Sequence, residues 1–277
     1  MKYTNSFYED YISENARDFL EASKLHYYDI KDYAIQVSSI MNSPYYMKEV
    51  FNHSIELGNV KTIDLPPLNN AKNSDIDALH RINKERKSTR NFKNEGLTIQ
   101  ELSSFLRNAF FLSKSKEETN NNLEHKNIAS PGSLYPIELY YINLKATEEL
   151  ETGSYYYDEK NAKLKLVSTL EEEGFIKAVY KAFAVEGKMD IDIKGASGII
   201  ILGATLNRLT FKYLDRGIRW AFTEAGAILH NLQLSATANE GIGTCPCAGF
   251  FDDFVGELIG YKTSDQTPII SLVVGKI

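Results

Sequence analysis

The run from Arg216 to Ala238 constrains this chain more than any other segment. It reads as one long helix that is apolar on most sides. Such a helix is buried, either inside a domain or against another subunit. The fold must therefore supply covering elements around it. The rest of the 277 residues offers them. Thr98 and Glu101 form a capping-box pair at the start of a helix whose apolar face is Leu102, Phe105, Leu106, Ala109 and Phe110. Ile137 to Leu144 alternates and is rich in strand formers, and Gly198 to Gly203 reads as a buried central strand. Tyr155–Tyr157 and Leu164–Val167 flank the turn sequence Asp158-Glu159-Lys160-Asn161, which predicts a hairpin.

Further helices are expected over Leu170–Phe183 and Asp252–Ile259, and further strands over Ile242–Cys247 and Ile269–Val274. Helices and strands thus alternate irregularly, which predicts an α+β fold with a central mixed, mainly antiparallel sheet flanked by helices. Residues 1–75 are expected to form an N-terminal helical extension and connector, with helical patterns over Arg17–Tyr27 and Asp32–Met41. Pro66 and Pro67 then enforce extended backbone, and Asn70 to Asp75 reads as a linker. Residues 76–277 form the expected main domain. Ser113 to Asn127 is polar and charged and is expected to be a mobile loop.

Composition narrows the function classes. A net charge of −6 argues against nucleic acid as the main partner, because phosphate binding calls for a basic surface. No apolar run is long enough to span a bilayer, and the first residues lack a signal-peptide core, so a cytoplasmic location is the default expectation. Cys245 and Cys247 lie too close in sequence for an easy disulfide, and no second cluster completes a zinc site. Both are expected to be small residues of a buried strand, with no metal.

Three constellations carry possible chemistry. In extended chain, Arg86, Ser88 and Arg90 point the same way, with Lys87 between them, and two guanidinium forks plus a hydroxyl suit a phosphate and an oxygen-rich ligand. The stiff turn Ser130-Pro131-Gly132-Ser133-Leu134-Tyr135-Pro136 can lie against a flat heterocycle. Gly241-Ile242-Gly243, with Ala248-Gly249 behind, permits close approach of backbone to a ligand or another strand. Each also has a plain reading, as a solvated basic face, a loop-to-strand turn, or tight strand packing. Finally, Lys212 and Tyr213 sit beside Arg216 and Arg219 at the leading end of the long helix, where neighbouring cations would lower the proton affinity of either group. Neighbours on a helix point about 100° apart, so both line one pocket only if the chain is irregular there, and Gly217 is the expected site of that irregularity.

Taken in order, these blocks resemble the nitroreductase superfamily of flavin enzymes, and more narrowly its SagB-type (microcin-type) branch, the thiazoline/oxazoline dehydrogenases of modified-peptide biosynthesis. The blocks that carry the resemblance are Arg86-x-Ser88-x-Arg90-x-Phe92, Ser130 to Glu138, and Lys212-Tyr213-x-x-Arg216-Gly217-x-Arg219 with Glu224-Ala225-Gly226 and Asn231. One departure is Pro131, which removes a backbone N–H from the serine turn. The resemblance implies a nitroreductase-like FMN-binding fold, with FMN held by Arg86, Lys87, Ser88, Arg90 and Lys276. Ser130, Pro131, Gly132, Ser133 and Leu134 would lie beside its ring system, and Cys247, Ala248 and Gly249 would face the ring from another side. It further implies a homodimer, an azoline-containing precursor peptide as substrate, a cyclodehydratase complex as partner, and Lys212 and Tyr213 as the catalytic residues that remove a proton. Two other functions share parts of this pattern. One is a general NAD(P)H-dependent nitro or flavin reductase, and the other is a flavin-free scaffold subunit of a cyclodehydratase complex.

Overall fold

In a computed structural model, the structure describes residues 11–46, 58, 61–66, 74–115, 118, 124–167, 172–184 and 190–277. Among the described residues the α-helices are α1 (Glu14–Ala22), α2 (Ile30–Met41), α3 (Ser74–Glu85), α4 (Ile99–Ala109), α5 (Glu172–Ala182), α6 (Asn207–Tyr213), α7 (Arg216–Ala238) and α8 (Asp252–Leu258). The strands are β1 (Leu112–Lys114), β2 (His125–Lys126), β3 (Ile137–Asn143), β4 (Gly153–Asp158), β5 (Lys163–Leu166), β6 (Gly198–Thr205), β7 (Ile242–Cys247) and β8 (Gln266–Lys276). Residues up to Lys24 belong with Ile82–Ile277 to one compact unit, and Leu25–Arg81 forms another. The second unit carries α2 and most of α3. The helix α1, which the sequence reading assigns to an extension, belongs to the first unit.

The expected α+β architecture is present, built on a six-stranded sheet of order β5-β4-β3-β6-β8-β7. All five of its pairings are antiparallel. The central strands β3 and β6 are buried along their whole length. Alternate residues therefore feed two cores. Ile137, Leu139, Tyr141, Ile200, Leu202 and Leu272 meet Leu102, Phe105, Ala221, Ile228 and Leu232 of α4 and α7 on one face. Tyr140, Ile142, Ile199, Ile201 and Val273 meet Phe175, Val179, Val255 and Leu258 of α5 and α8 on the other.

Local signals explain most element boundaries. The Thr98 hydroxyl accepts from the Glu101 N–H at 3.2 Å, while the Glu101 carboxylate accepts from the Thr98 N–H at 2.7 Å, so the α4 capping box is complete. The β4–β5 hairpin pairs Tyr155 with Leu166 and Asp158 with Lys163, as its turn sequence predicts. Two expectations need correction. The polar stretch 113–127 is not wholly a loop, because its ends pair as β1 and β2 with a bulge. The proposed linker overlaps α3, which begins at Ser74. Residues 67–73, including Pro67 and most of that linker, lie outside the described residues.

Candidate functional site

The segment between β2 and β3 and the short helix α6 build the site. Pro131–Ser133 forms a single 3₁₀ turn, with the Ser133 N–H donating to the Ser130 carbonyl at 3.0 Å. Pro131 occupies the first position of that turn, where a backbone N–H would have no partner within the turn. Gly132 (φ 65°), Ser133 (φ 54°) and Tyr135 (φ 43°) all adopt left-handed backbone. Two non-glycine residues in that region within four positions is a strained arrangement, which packing must enforce.

That packing is visible. The Tyr135 N–H donates to the Ser130 hydroxyl at 3.0 Å, and the Tyr135 hydroxyl accepts from the Lys126 N–H at 2.9 Å. Lys126 Nζ lies 5.0 Å from the Tyr135 ring centroid and pairs with Glu159 at 2.7 Å. From α6, Arg208 donates to the Tyr135 carbonyl at 3.0 Å and also pairs with the buried Glu138 of β3. Arg208 is one helical turn before Lys212. The same helix is thus pinned to the turn and carries the Lys-Tyr pair.

The turn and the pair meet at Gly132. A Cβ placed there would stand 2.9 Å from Lys212 Nζ and 3.1 Å from the Tyr213 hydroxyl. Lys212 Nζ also lies 5.3 Å from the Tyr213 ring centroid. Both side chains therefore reach one small, side-chain-free surface. The backbone irregularity in this stretch is at Leu214 (φ 51°, ψ −151°), which ends α6 immediately after Tyr213. It is not at Gly217, which is helical and buried in α7. Gly217 serves packing instead. A Cβ there would come within 2.9 Å of Leu209, so the glycine lets α7 start tight against α6.

A second group assembles beside β7. The Thr89 N–H donates to the Thr244 carbonyl of β7 at 2.8 Å, and Lys93 N–H donates to the Lys276 carbonyl of β8 at 3.0 Å, so residues 89–93 cross from β7 to the end of β8. Burial raises the Cys245 thiol's proton affinity, and the nearby Arg90 charge and Ser88 hydroxyl offset part of the rise. Both cysteines are buried in β7, as expected of strand residues. Ala248 is exposed and Gly249 half-buried just past the strand end. Lys276 directs its ammonium to Glu101 at 3.3 Å and Glu95 at 4.0 Å. In chemistry, two guanidinium groups and a hydroxyl on one extended segment, with a side-chain-free turn elsewhere in the same unit, fit a phosphorylated flavin. Among the described residues, no group of three or more His, Cys, Asp or Glu is placed to hold a metal ion.

Sequence reasoning gives no role to two residues that organise the site. Arg208 is one, and its signal would have been its one-turn spacing from Lys212. Glu224 is the other. It is the only acidic residue between Asp215 and Glu240, in an otherwise apolar helix. It is 2% exposed, and burial pushes its carboxyl up to about 7 from 4.5, against the opposing effects of the Ser130 hydroxyl, the Ile137 N–H, Lys126 and Arg208. Two cavities lie elsewhere. One of about 710 Å³ is lined by α1, α8 and the start of β8, and one of about 520 Å³ by α4 and the β4–β5 hairpin. Neither includes Gly132, Lys212 or Tyr213.

Comparison with known proteins gives this geometry a family. The nitroreductase family model matches residues 84–276. The chain belongs to the nitroreductase family, and its class is that of the oxidoreductases. A protein of Methanocaldococcus jannaschii that carries the name nitroreductase is 28% identical over 221 residues, covering 79% of this chain and 98% of the relative. Among solved structures, a chain of the Escherichia coli microcin synthetase McbBCD complex with truncated pro-MccB17 bound superposes with a TM-score of 0.67 at 19% identity, covering 96% of this chain and 95% of that one. A nitroreductase-named structure from Ralstonia eutropha gives 0.56 at 19% identity and covers 79% of this chain and 87% of its own. These likenesses establish the nitroreductase-like fold.

Proposed function

We propose that this chain is an FMN-dependent dehydrogenase that oxidises thiazoline or oxazoline rings of a precursor peptide to thiazole or oxazole. The observation that carries the reading is the convergence of Lys212 Nζ and the Tyr213 hydroxyl on Gly132. Aromatising an azoline removes a proton from the former Cα and a hydride from the adjacent ring carbon. FMN supplies the hydride acceptor when bound, with molecular oxygen as the final oxidant. The protein's own residues must then bind the ring, orient it and take the proton. Lys212 and Tyr213 are the groups for that last step. Arg86, Lys87, Ser88 and Arg90 would hold the phosphate, ribityl chain and ring edge, and the Ser130–Leu134 turn and the Cys247–Gly249 backbone would flank the ring. Lys276 would join the phosphate site by exchanging its present carboxylate partners for the ligand.

The comparison with the microcin synthetase chain supports the narrower reading. That match covers 96% of this chain, against 79% for the Ralstonia structure. On this reading residues 1–75 are an extension to the enzyme domain, the chain works as a homodimer, and a cyclodehydratase complex delivers the azoline peptide. The test is turnover of an azoline-bearing peptide by mass spectrometry, each ring losing two hydrogens. Lys212→Ala and Tyr213→Phe should keep bound FMN and lose about 10²–10⁴-fold in rate. Wild-type rates in both variants would remove the pair from the chemistry. Rapid bleaching of bound flavin by NADPH, with no azoline oxidation, would favour a general reductase instead.

A further inference from the structure

A carboxylate in the sheet and a guanidinium on α6 meet behind the turn that faces the Lys-Tyr pair. Glu138 is 6% exposed, on a strand, β3, that is buried throughout. The sheet fixes its place. It pairs in register with Gly203 of β6, and the Thr205 and Tyr140 hydroxyls each donate to its Oε2 at 3.4 Å. Its Oε1 accepts from one terminal nitrogen of Arg208, and the other terminal nitrogen donates to the Tyr135 carbonyl at 3.0 Å. Tyr135 is left-handed (φ 43°), a conformation that its own side chain disfavours, so its seat depends on outside contacts. The next carbonyl, that of Pro136, accepts from the Thr205 N–H at 2.9 Å and is held by the sheet as well.

Arg208 and Lys212 lie four residues apart on α6, on one face and about 6 Å apart along the axis. That face meets the turn at two points in reverse order, Arg208 at Tyr135 and Lys212 at Gly132. We propose that Arg208 and Glu138 are the positioning pair of the site: the carboxylate, fixed in the sheet, holds one arm of the guanidinium while the other arm holds the Tyr135 carbonyl, and this sets how far the Gly132 surface stands from Lys212 Nζ and the Tyr213 hydroxyl. The inference rests on the reading of Lys212 and Tyr213 as the proton-removing pair. Arginine suits the task because its planar fork keeps the two terminal nitrogens at a fixed spacing, so a fork seated at Glu138 also fixes the Tyr135 carbonyl. Lysine would bring a single nitrogen on a flexible stem and could not transmit that spacing. Both sides of the proton-removing surface are thereby referred to one point of the sheet, α6 through the Arg208 backbone and the turn through the carbonyl. Neither residue touches substrate in this scheme, so its loss acts on the geometry of proton removal and not on binding.

The experiment compares wild-type full-length protein with Arg208→Lys and with the double variant Arg208→Met/Glu138→Met, which removes the buried charges together and so leaves neither of them orphaned. In ¹⁵N-labelled protein without substrate, the backbone amides of Gly132, Ser133 and Tyr135 should shift in both variants, while those of Ile200 and Leu202 in β6 should stay. In azoline turnover, kcat should fall about 10–100-fold, the size expected of a small misplacement. KM should remain within about twofold, because uniform binding is untouched. Turn amides that do not move would overturn the proposal, as would shifts spread equally over β6 or failure of both variants to fold, since the pair would then hold the fold at large. So would an unchanged kcat, or a loss confined to KM. The amides are read without substrate, so a wild-type protein inactive toward azolines would sink the proposed function while the amides still decide whether the pair seats the turn.

Discussion

Replacing Glu224 by Gln isolates the energetic consequence of burying a carboxyl in an apolar helix. The ordinary glutamate value is 4.5, and burial raises it to about 7 in the folded chain. The folded state therefore holds a proton through a window in which the unfolded chain has released it, so stability falls as pH rises from 4.5 to about 7 and is level above. At about 1.4 kcal/mol per pH unit, the ionised carboxyl costs on the order of 3 kcal/mol at alkaline pH relative to its neutral form. Glutamine keeps the shape and the acceptor for the Ile137 N–H but never ionises. Its stability relative to wild type should then grow by roughly 3 kcal/mol across that window, equivalent to about 5 °C in Tm for a chain of this length. Denaturant midpoints of both proteins, measured from acid to alkaline pH, give the difference directly, and other titrating groups cancel in it. A difference that stays constant with pH would refute this reasoning. It would mean that Glu224 is already ionised and fully solvated or paired in the folded chain.

The other expectations concern the flavin and the assembly. The purified protein should be yellow, and Arg86→Ala or Arg90→Ala should weaken FMN binding by roughly 1.5–3 kcal/mol each; unchanged flavin affinity in the double variant, read by fluorescence titration, would remove those residues from the cofactor site. The chain should dimerise. Helix α7 exposes Arg219, Phe222, Thr223, Gly226, Ala227 and His230 along one stripe, with Phe222 39% exposed, so light scattering should report twice the 31.3 kDa chain mass and Phe222→Asp should halve it. A single-chain mass for the wild type at micromolar concentration would count against a dimer.

Where a segment's structure depends on its own side chains, the sequence is readable to within a few residues. Thr98 and Glu101 start α4 where the capping box places it, because both partners are three residues apart. The Ile-rich run becomes the central strand β6 since a sheet covered on both faces needs apolar residues at every position. The long helix α7 spans Arg216–Ala238 as expected. Its burial is one-sided in this chain, however: the exposed stripe includes Phe222, Gly226 and Ala227, and a reading that only counts apolar positions does not separate it from the buried face. The pairing of β1 with β2 was hidden for another reason. Leu112 pairs with Lys126, and the Asn127 side chain accepts from Phe111 N–H at 2.9 Å, but no local periodicity marks so short a ladder.

The site shows the same division more sharply. Lys212, Tyr213 and the Ser130–Leu134 turn stand out by residue type, but what unites them is tertiary. Helical geometry alone would point Lys212 and Tyr213 apart. Both nevertheless reach Gly132, and Arg208, one turn before Lys212, ties α6 to that turn at the Tyr135 carbonyl. Strained backbone at Ser133 and Tyr135 has no sequence signature, since neither residue favours the left-handed region. It persists because Lys126, Arg208 and Glu224 hold the segment from three different elements. A turn clamped in this way responds to a change in any one clamp. Glu224 holds its end of the segment from inside an otherwise apolar helix, where burial raises the proton affinity of its carboxyl.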